Sequence, residues 1–254
     1  MTITPNKWEL DVQGYLNVCN ITSATPRKQL RDFSAGVNDL GLWDSMVCWP
    51  LRSSQNYGSG DIVFSLGGLG TFNGTRVNGP TWGADGITIT GANKRIDFPT
   101  ISDFSSGLFA GSIHKVASVS TANRGLSIEK ISGQAGGAWA PFSDGKLYWD
   151  CLTTSSRISE NSGAANDTFY MWSGSSNGMR ICLNNNSLAT GGTASQLTGD
   201  FDRIQFGRTS NNTTEQFNGT SAFIFIIKTG ASLSQIQAFY NTCRDTLGTG
   251  LSLP

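Results

Sequence analysis

Apolar positions along this chain come in short runs separated by glycine, asparagine and serine, and their spacing changes at both ends. Leu30, Phe33, Val37 and Leu40 recur at intervals of three and four, which puts them on one stripe of a helix. Thr25 reads as its N-cap and Pro26 as its first helical residue, where a missing N–H costs nothing. Residues 1–22 precede it with no clear period. Strand-length segments follow: Asp61–Leu66, Gly86–Thr90, Lys94–Phe98, Leu108–Val119, Leu126–Ile131 and Lys146–Thr153. Thr168–Ser173, Met179–Ala189, Arg203–Gly207 and Phe217–Lys228 complete the series, and the asparagines inside Met179–Ala189 fold it into a hairpin. Turn pairs separate the runs, at Gly67-Gly68, Asn73-Gly74, Asn78-Gly79, Asp85-Gly86 and Asp144-Gly145. A helix closes the chain, with Leu233, Ile236, Phe239, Tyr240, Cys243 and Leu247 on one side. Ser232 and Gln235 form its capping box and Gly248 its stop. One apolar side suits packing over a sheet edge, or between the sheet and a neighbour.

Composition narrows the class. A chain of 254 residues can bury a full core, and without an internal repeat or linker it reads as one all-β body. Its 18 basic and 18 acidic residues cancel, which removes the electrostatic case for nucleic acid or an anionic membrane. No apolar run approaches the ~18 residues of a membrane helix. Charged residues are only 14% of the chain, with glycine, serine, threonine and asparagine in their place. That balance suits a turn-rich sheet protein and is common in parts of larger assemblies. The start, MTITPNKWELDVQ, lacks the basic and apolar regions of a signal peptide, so no secretory route is expected. Cys19, Cys48, Cys151, Cys182 and Cys243 are scattered and odd in number, which predicts free thiols from a reducing compartment.

Three segments carry a resemblance. Trp49-Pro50-Leu51 opens the strand region, FNGTRVNGPTWGADGITITG fills positions 72–91, and a closing apolar strand leads into a helix with an LSxxQ pattern and an LGTGL tail. With these, residues 41–251 resemble the laminin-G-like, concanavalin-A-like jelly roll, and within it the variety found in phage virion structural proteins. The resemblance implies an all-β, two-sheet antiparallel jelly-roll sandwich with a short N-terminal helix and one C-terminal helix. Residues 1–40 are then an N-terminal attachment arm and residues 41–254 the jelly-roll domain. The same family holds lectins, adhesion modules and glycoside hydrolases, so function rests on particular residues.

Those residues argue against catalysis. Glycosidases on this fold set two glutamates about an aspartate on one strand face. Here Glu9, Glu129, Glu160 and Glu215 lie far apart in sequence. The nearest carboxylate pair, Asp200 and Asp202, reads as a solvated strand entrance. His114 is the only histidine and has no nucleophile motif beside it, so it reads as structural or surface-exposed. No catalytic residue, resident metal or cofactor is expected. A structural calcium held by Asp and Asn side chains and loop carbonyls leaves little linear signature, and the loop Ser210–Asn218 is the place to look for one. In LYWDC, Leu147, Trp149 and Cys151 share one strand face while Tyr148 and Asp150 share the other. Trp149 therefore belongs to the core. Trp139 and Trp172 read the same way, or else join Tyr148 and Asp150 in a groove where aromatic faces stack on sugar rings.

The expectation is a non-enzymatic bacteriophage virion structural protein assembled in the host cytoplasm. It would be a homo-oligomeric capsid decoration or compact fibre or tail component that contacts other virion proteins through its arm. The alternative is a glycan-binding adhesion module whose partner is a host-surface glycan, and a glycoside hydrolase ranks below both.

Overall fold

A computed structural model of the chain describes residues 4–91, 93–118, 124–131, 136–139, 141–153, 156–161, 166–208 and 216–254, with Trp139 defined by its backbone alone. Two helices come first, α1 (Lys7–Val18) and α2 (Ala24–Asp39). Helix α1 falls in the segment where no element was expected. Asn6 caps it in a reciprocal box with Glu9, and Val12, Tyr15 and Leu16 form its buried stripe. Helix α2 starts at Ala24 with Ser23 as N-cap, two residues earlier than Thr25. Pro26 thus stands third in the helix. It is tolerated there because first-turn N–H groups have no intrahelical partner.

The strands in chain order are β1 (Met46–Pro50), β2 (Ile62–Val63), β3 (Gly74–Val77), β4 (Thr81–Gly83), β5 (Gly86–Ile89), β6 (Arg95–Phe98) and β7 (Ile101–Ser102). Next come β8 (Leu108–Ala117), β9 (Arg124–Glu129), β10 (Gly137–Trp139), β11 (Lys146–Asp150) and β12 (Ile158–Asn161). The last six are β13 (Thr168–Ser175), β14 (Gly178–Leu183), β15 (Asn186–Gly191), β16 (Asp200–Phe201), β17 (Arg203–Phe206) and β18 (Gly219–Ile227), before helix α3 (Leu233–Asp245). One sheet runs β15-β14-β13-β8-β18-β5-β4, with β1 also on β18; the other runs β12-β11-β10-β9-β17-β6-β3-β2. All the registered pairs within these sheets are antiparallel, and β16 with β7 forms a separate small ladder. The molecule is a β-sandwich.

Alternation along the strands of the first sheet sends side chains into two separate cores. On β18, Ile224 and Ile226 point between the sheets, while Phe223, Phe225 and Ile227 point under the helices. Val47 and Trp49 on β1 join the first core, and Met46 and Cys48 the second. This sheet is buried on both faces, so its strands read as unbroken apolar runs. Trp49 donates from Nε1 to Phe72 O at 2.8 Å and packs on Phe98 at 4.0 Å, which gives the opening triplet its place in the sandwich.

Helix α3 lies on the sheet face and not over an edge. Phe239 meets Phe33 of α2, Phe109 of β8, Phe169 of β13 and Phe225 of β18, all with ring centroids 4.6–6.2 Å away. Ser232 accepts from Gln235 N, the capping box is complete, and Gly248 N–H returns to Cys243 O at 2.7 Å. Gly111 on β8 makes room for this packing, since a Cβ there would stand 2.8 Å from the Phe225 ring. The Asn78-Gly79 turn has φ of 60° and 69°, as a tight turn requires, yet it carries the chain from β3 in one sheet to β4 in the other. All five cysteines are free and buried, Cys19 included. Burial pushes the Cys19 thiol up to about 12 and Cys182 to about 11.

Candidate functional site

Helices cover one face of the sandwich, and the outer face of the second sheet carries different chemistry. Ile96, Phe98, Leu126, Ile128, Leu147, Trp149, Ile204 and Phe206 from this sheet point into the core. Alternation then turns Asp97, Gln205, Ser127, Gly137 and Asp150 outward, and strand register sets them side by side in one row. Asp97 holds the row at one end: Arg95 Nε and Gln205 Nε2 both donate to its Oδ1, at 2.7 and 2.8 Å. The Gln205 Oε1 atom is buried and has no hydrogen-bond partner among the described residues. In the middle, the Arg124 guanidinium lies over Gly137, where an added Cβ would come within 2.0 Å of it. Arg124 donates to Ser127 Oγ at 3.1 Å and to Glu129 Oε1 at 3.3 Å, and all three side chains are sealed from solvent.

Tyr148 and Asp150 stand together at the far end, as alternation along β11 requires. Arg157 joins them. Its Nε and Nη2 each donate to a different Asp150 oxygen at 2.7 Å, and its guanidinium lies 5.2 Å from the centre of the Tyr148 ring. The Tyr148 hydroxyl donates to Asp144 Oδ2 at 2.6 Å, a bond that lowers the Asp144 pKa and raises that of Tyr148. Phe142 meets the Tyr148 ring edge-on at 5.5 Å. Planar donors, planar acceptors and a half-buried aromatic ring are thus held in one exposed patch. Sequence reading missed Arg157, which pairs with Asp150 from across the β11–β12 connection.

Trp172 does not reach this patch. It is fully buried between the sheets, 5.9 Å from the Trp149 ring, and is unavailable to a sugar. The position of Trp139 opposite Tyr148 follows from backbone register, while its side chain lies outside the described residues. Most of the Ser210–Asn218 loop lies outside them as well. Asp200 ends up in the small ladder with β7, and Asp202 accepts the Ile131 N–H at 2.6 Å, so the pair does not form one strand face. His114 is buried, not surface-exposed. Its Nε2 is 2.9 Å from Ser112 Oγ, Tyr170 and Phe217 flank the ring, and burial lowers its pKa to about 3. Among the described residues no three His, Cys, Asp or Glu side chains gather to hold a metal, and no helix is long and apolar enough to cross a membrane.

No protein-family model and no curated protein matches the sequence. Solved structures do. Trypanosoma rangeli sialidase in complex with 2,3-difluoro-KDN aligns with a TM-score of 0.60 and 12% identity, over 88% of this chain and 40% of that one. The botulinum neurotoxin serotype D ligand binding domain, in complex with N-acetylneuraminic acid, aligns at 0.59 and 11%, over 79% of this chain and 52% of that one. The chain thus spans between two fifths and about half the length of these structures, and at such identity the likeness is one of fold.

Proposed function

We propose that this chain is a glycan-binding β-sandwich module without catalytic activity, and that the Tyr148–Arg157–Asp150 end of the outer face of its second sheet is the binding surface. The observation that carries the reading is that cluster, with Asp97 and Gln205 at the other accessible end of the same row. It offers carboxylate, amide and guanidinium groups held in plane by each other, beside an aromatic ring. Such groups suit bidentate bonds to vicinal hydroxyls, and the ring suits the apolar side of a pyranose. Two of the fold's solved likenesses are complexes with sialic-acid-type ligands, which adds support of the same kind. The non-catalytic part of the reading rests on Asp97, Glu129 and Asp150, each of which is bonded to a guanidinium and serves as a structural partner on the sheet face.

The test is an array of surface glycans probed with the whole chain. Saturable retention of one glycan class, lowered at least tenfold by Tyr148→Ala or Asp150→Ala and with no release of reducing ends, is the expected result. An empty array, or variants that bind as the parent does, would reject the reading.

A second reading places the module on a phage particle as a decoration or tail component. It rests on the sequence resemblance and on one structural observation. Leu10 and Val18 on α1 are 58% and 56% exposed, and both line a groove of about 490 Å³ between α1 and residues 64–73. An apolar helix side facing outward, opposite the polar sheet face, suits attachment through the N-terminal segment. Leu10→Lys with Val18→Lys should then abolish regular occupancy on emptied capsids or tails while leaving glycan retention intact. Full occupancy by the double variant would remove this reading.

A further inference from the structure

A second polar site lies at another place on the sandwich. The β13–β14 hairpin, the residues after β15, the loop before β8 and the residues before α3 enclose a cleft of about 780 Å³, within the range of small-molecule sites. Six serines and one threonine line it, with four glycines, and no lining residue is acidic. Glycines at 191, 192 and 230 line it without side chains and keep the walls low. Some of the hydroxyls are occupied. Ser173 Oγ accepts the Ala231 N–H at 2.8 Å, Ser175 Oγ accepts the Asn177 N–H at 3.1 Å, and Ser105 is tied to Asp103 through its N–H and hydroxyl. Ser106, Ser176 and Thr190 lie in the same wall with no side-chain hydrogen bond among the described residues.

Arg180 is the one charged residue of the lining. Its single described bond runs from Nη1 to Ser187 Oγ at 2.8 Å, and it forms no ion pair among the described residues. That contrasts with Arg95, Arg124 and Arg157 on the outer sheet face, each of which is matched by a carboxylate. An arginine with most of its five donors unspent, at a cleft of hydroxyls, is built for an oxyanion. The N-terminus of α3 opens at the same cleft through Ser232 and adds a favourable field for negative charge.

We propose that this cleft binds an acidic saccharide, with its carboxylate on Arg180 and its ring hydroxyls against Ser106, Ser176 and Thr190. The site is separate from the outer sheet face and does not depend on the glycan reading given for that face. The whole chain, labelled with nitrogen-15, is titrated with glucuronate, with glucose and with inorganic sulfate while its amide spectrum is followed. Saturable shifts at residues 105–107, 174–180, 190–192 and 230–232 are expected with glucuronate, at least tenfold tighter than with glucose or sulfate. Arg180→Gln should weaken glucuronate about tenfold, the scale of one charge-assisted contact. Ser176→Tyr, an exposed turn position that fills the cleft, should block it with the fold intact, and Tyr148→Ala should change nothing. Equal affinity for sulfate would leave only an anion site and overturn the saccharide assignment. Shifts absent from these residues, or unchanged in both cleft variants, would overturn the site itself.

Discussion

His114 is a neutral side chain held where a charged one would not be tolerated. Burial among Tyr170, Phe206 and Phe217 sets its pKa at about 3 in the folded chain, against about 6.5 when unfolded. Above pH 6.5 both states carry neutral imidazole and the group leaves stability unchanged. Below it the unfolded chain takes up a proton that the folded chain refuses, so stability falls as pH drops toward 3. Between pH 6.5 and 4.5 this one residue should remove about 2 kcal/mol. Urea denaturation at the two pH values should show that loss reduced by about this amount in His114→Asn. An equal loss in parent and variant would contradict the buried neutral assignment. The proposed binding patch behaves differently. Arg157 is half exposed, so the Asp150–Arg157 pair belongs to the surface class that contributes about 0–1 kcal/mol. Asp150→Ala should therefore leave the urea midpoint nearly unchanged, and any loss of ligand can be read as loss of the site.

Among the elements, α3 shows how the helical layer is held. Phe239 is fully buried against four rings from three elements of the first sheet and from α2, so Phe239→Ala should cost about 3–5 kcal/mol. A cost below 1 kcal/mol, by urea denaturation, would mean that the helix is not docked as described. Most of this architecture was legible in the chain. The capping box at Ser232, the stripe of α3 and the alternation of Tyr148 with Trp149 are local signals, and local rules read them. Helix α1 was missed although Val12, Tyr15 and Leu16 have helical spacing, because exposed Leu10 and Val18 blur the stripe. Trp172 illustrates a different limit. Alternation pairs it with Tyr170 on one face, but both faces of that sheet are covered, by the other sheet and by the helices. Which strand face meets solvent is decided by sheet order, and sheet order is not written in any single strand. Arg157 escaped notice for the same reason, since its partnership depends on the register of β11 with β12.

For the whole molecule, the arrangement is one of three layers with unlike outer surfaces. Helices seal one side of the first sheet around aromatic side chains, and the second sheet carries on its far face a row of polar groups that is accessible at its two ends. That asymmetry is the basis for placing recognition on the sheet side and attachment, where there is any, on the helix side. The most direct test is calorimetry of the whole chain with the glycan retained on the array, comparing the parent with Tyr148→Ala/Gln205→Ala and with Leu10→Lys/Val18→Lys. The account predicts at least a tenfold rise in Kd for the first double variant and an unchanged Kd for the second. An unchanged Kd for the sheet-face variant, or a loss confined to the helix-side variant, would contradict it.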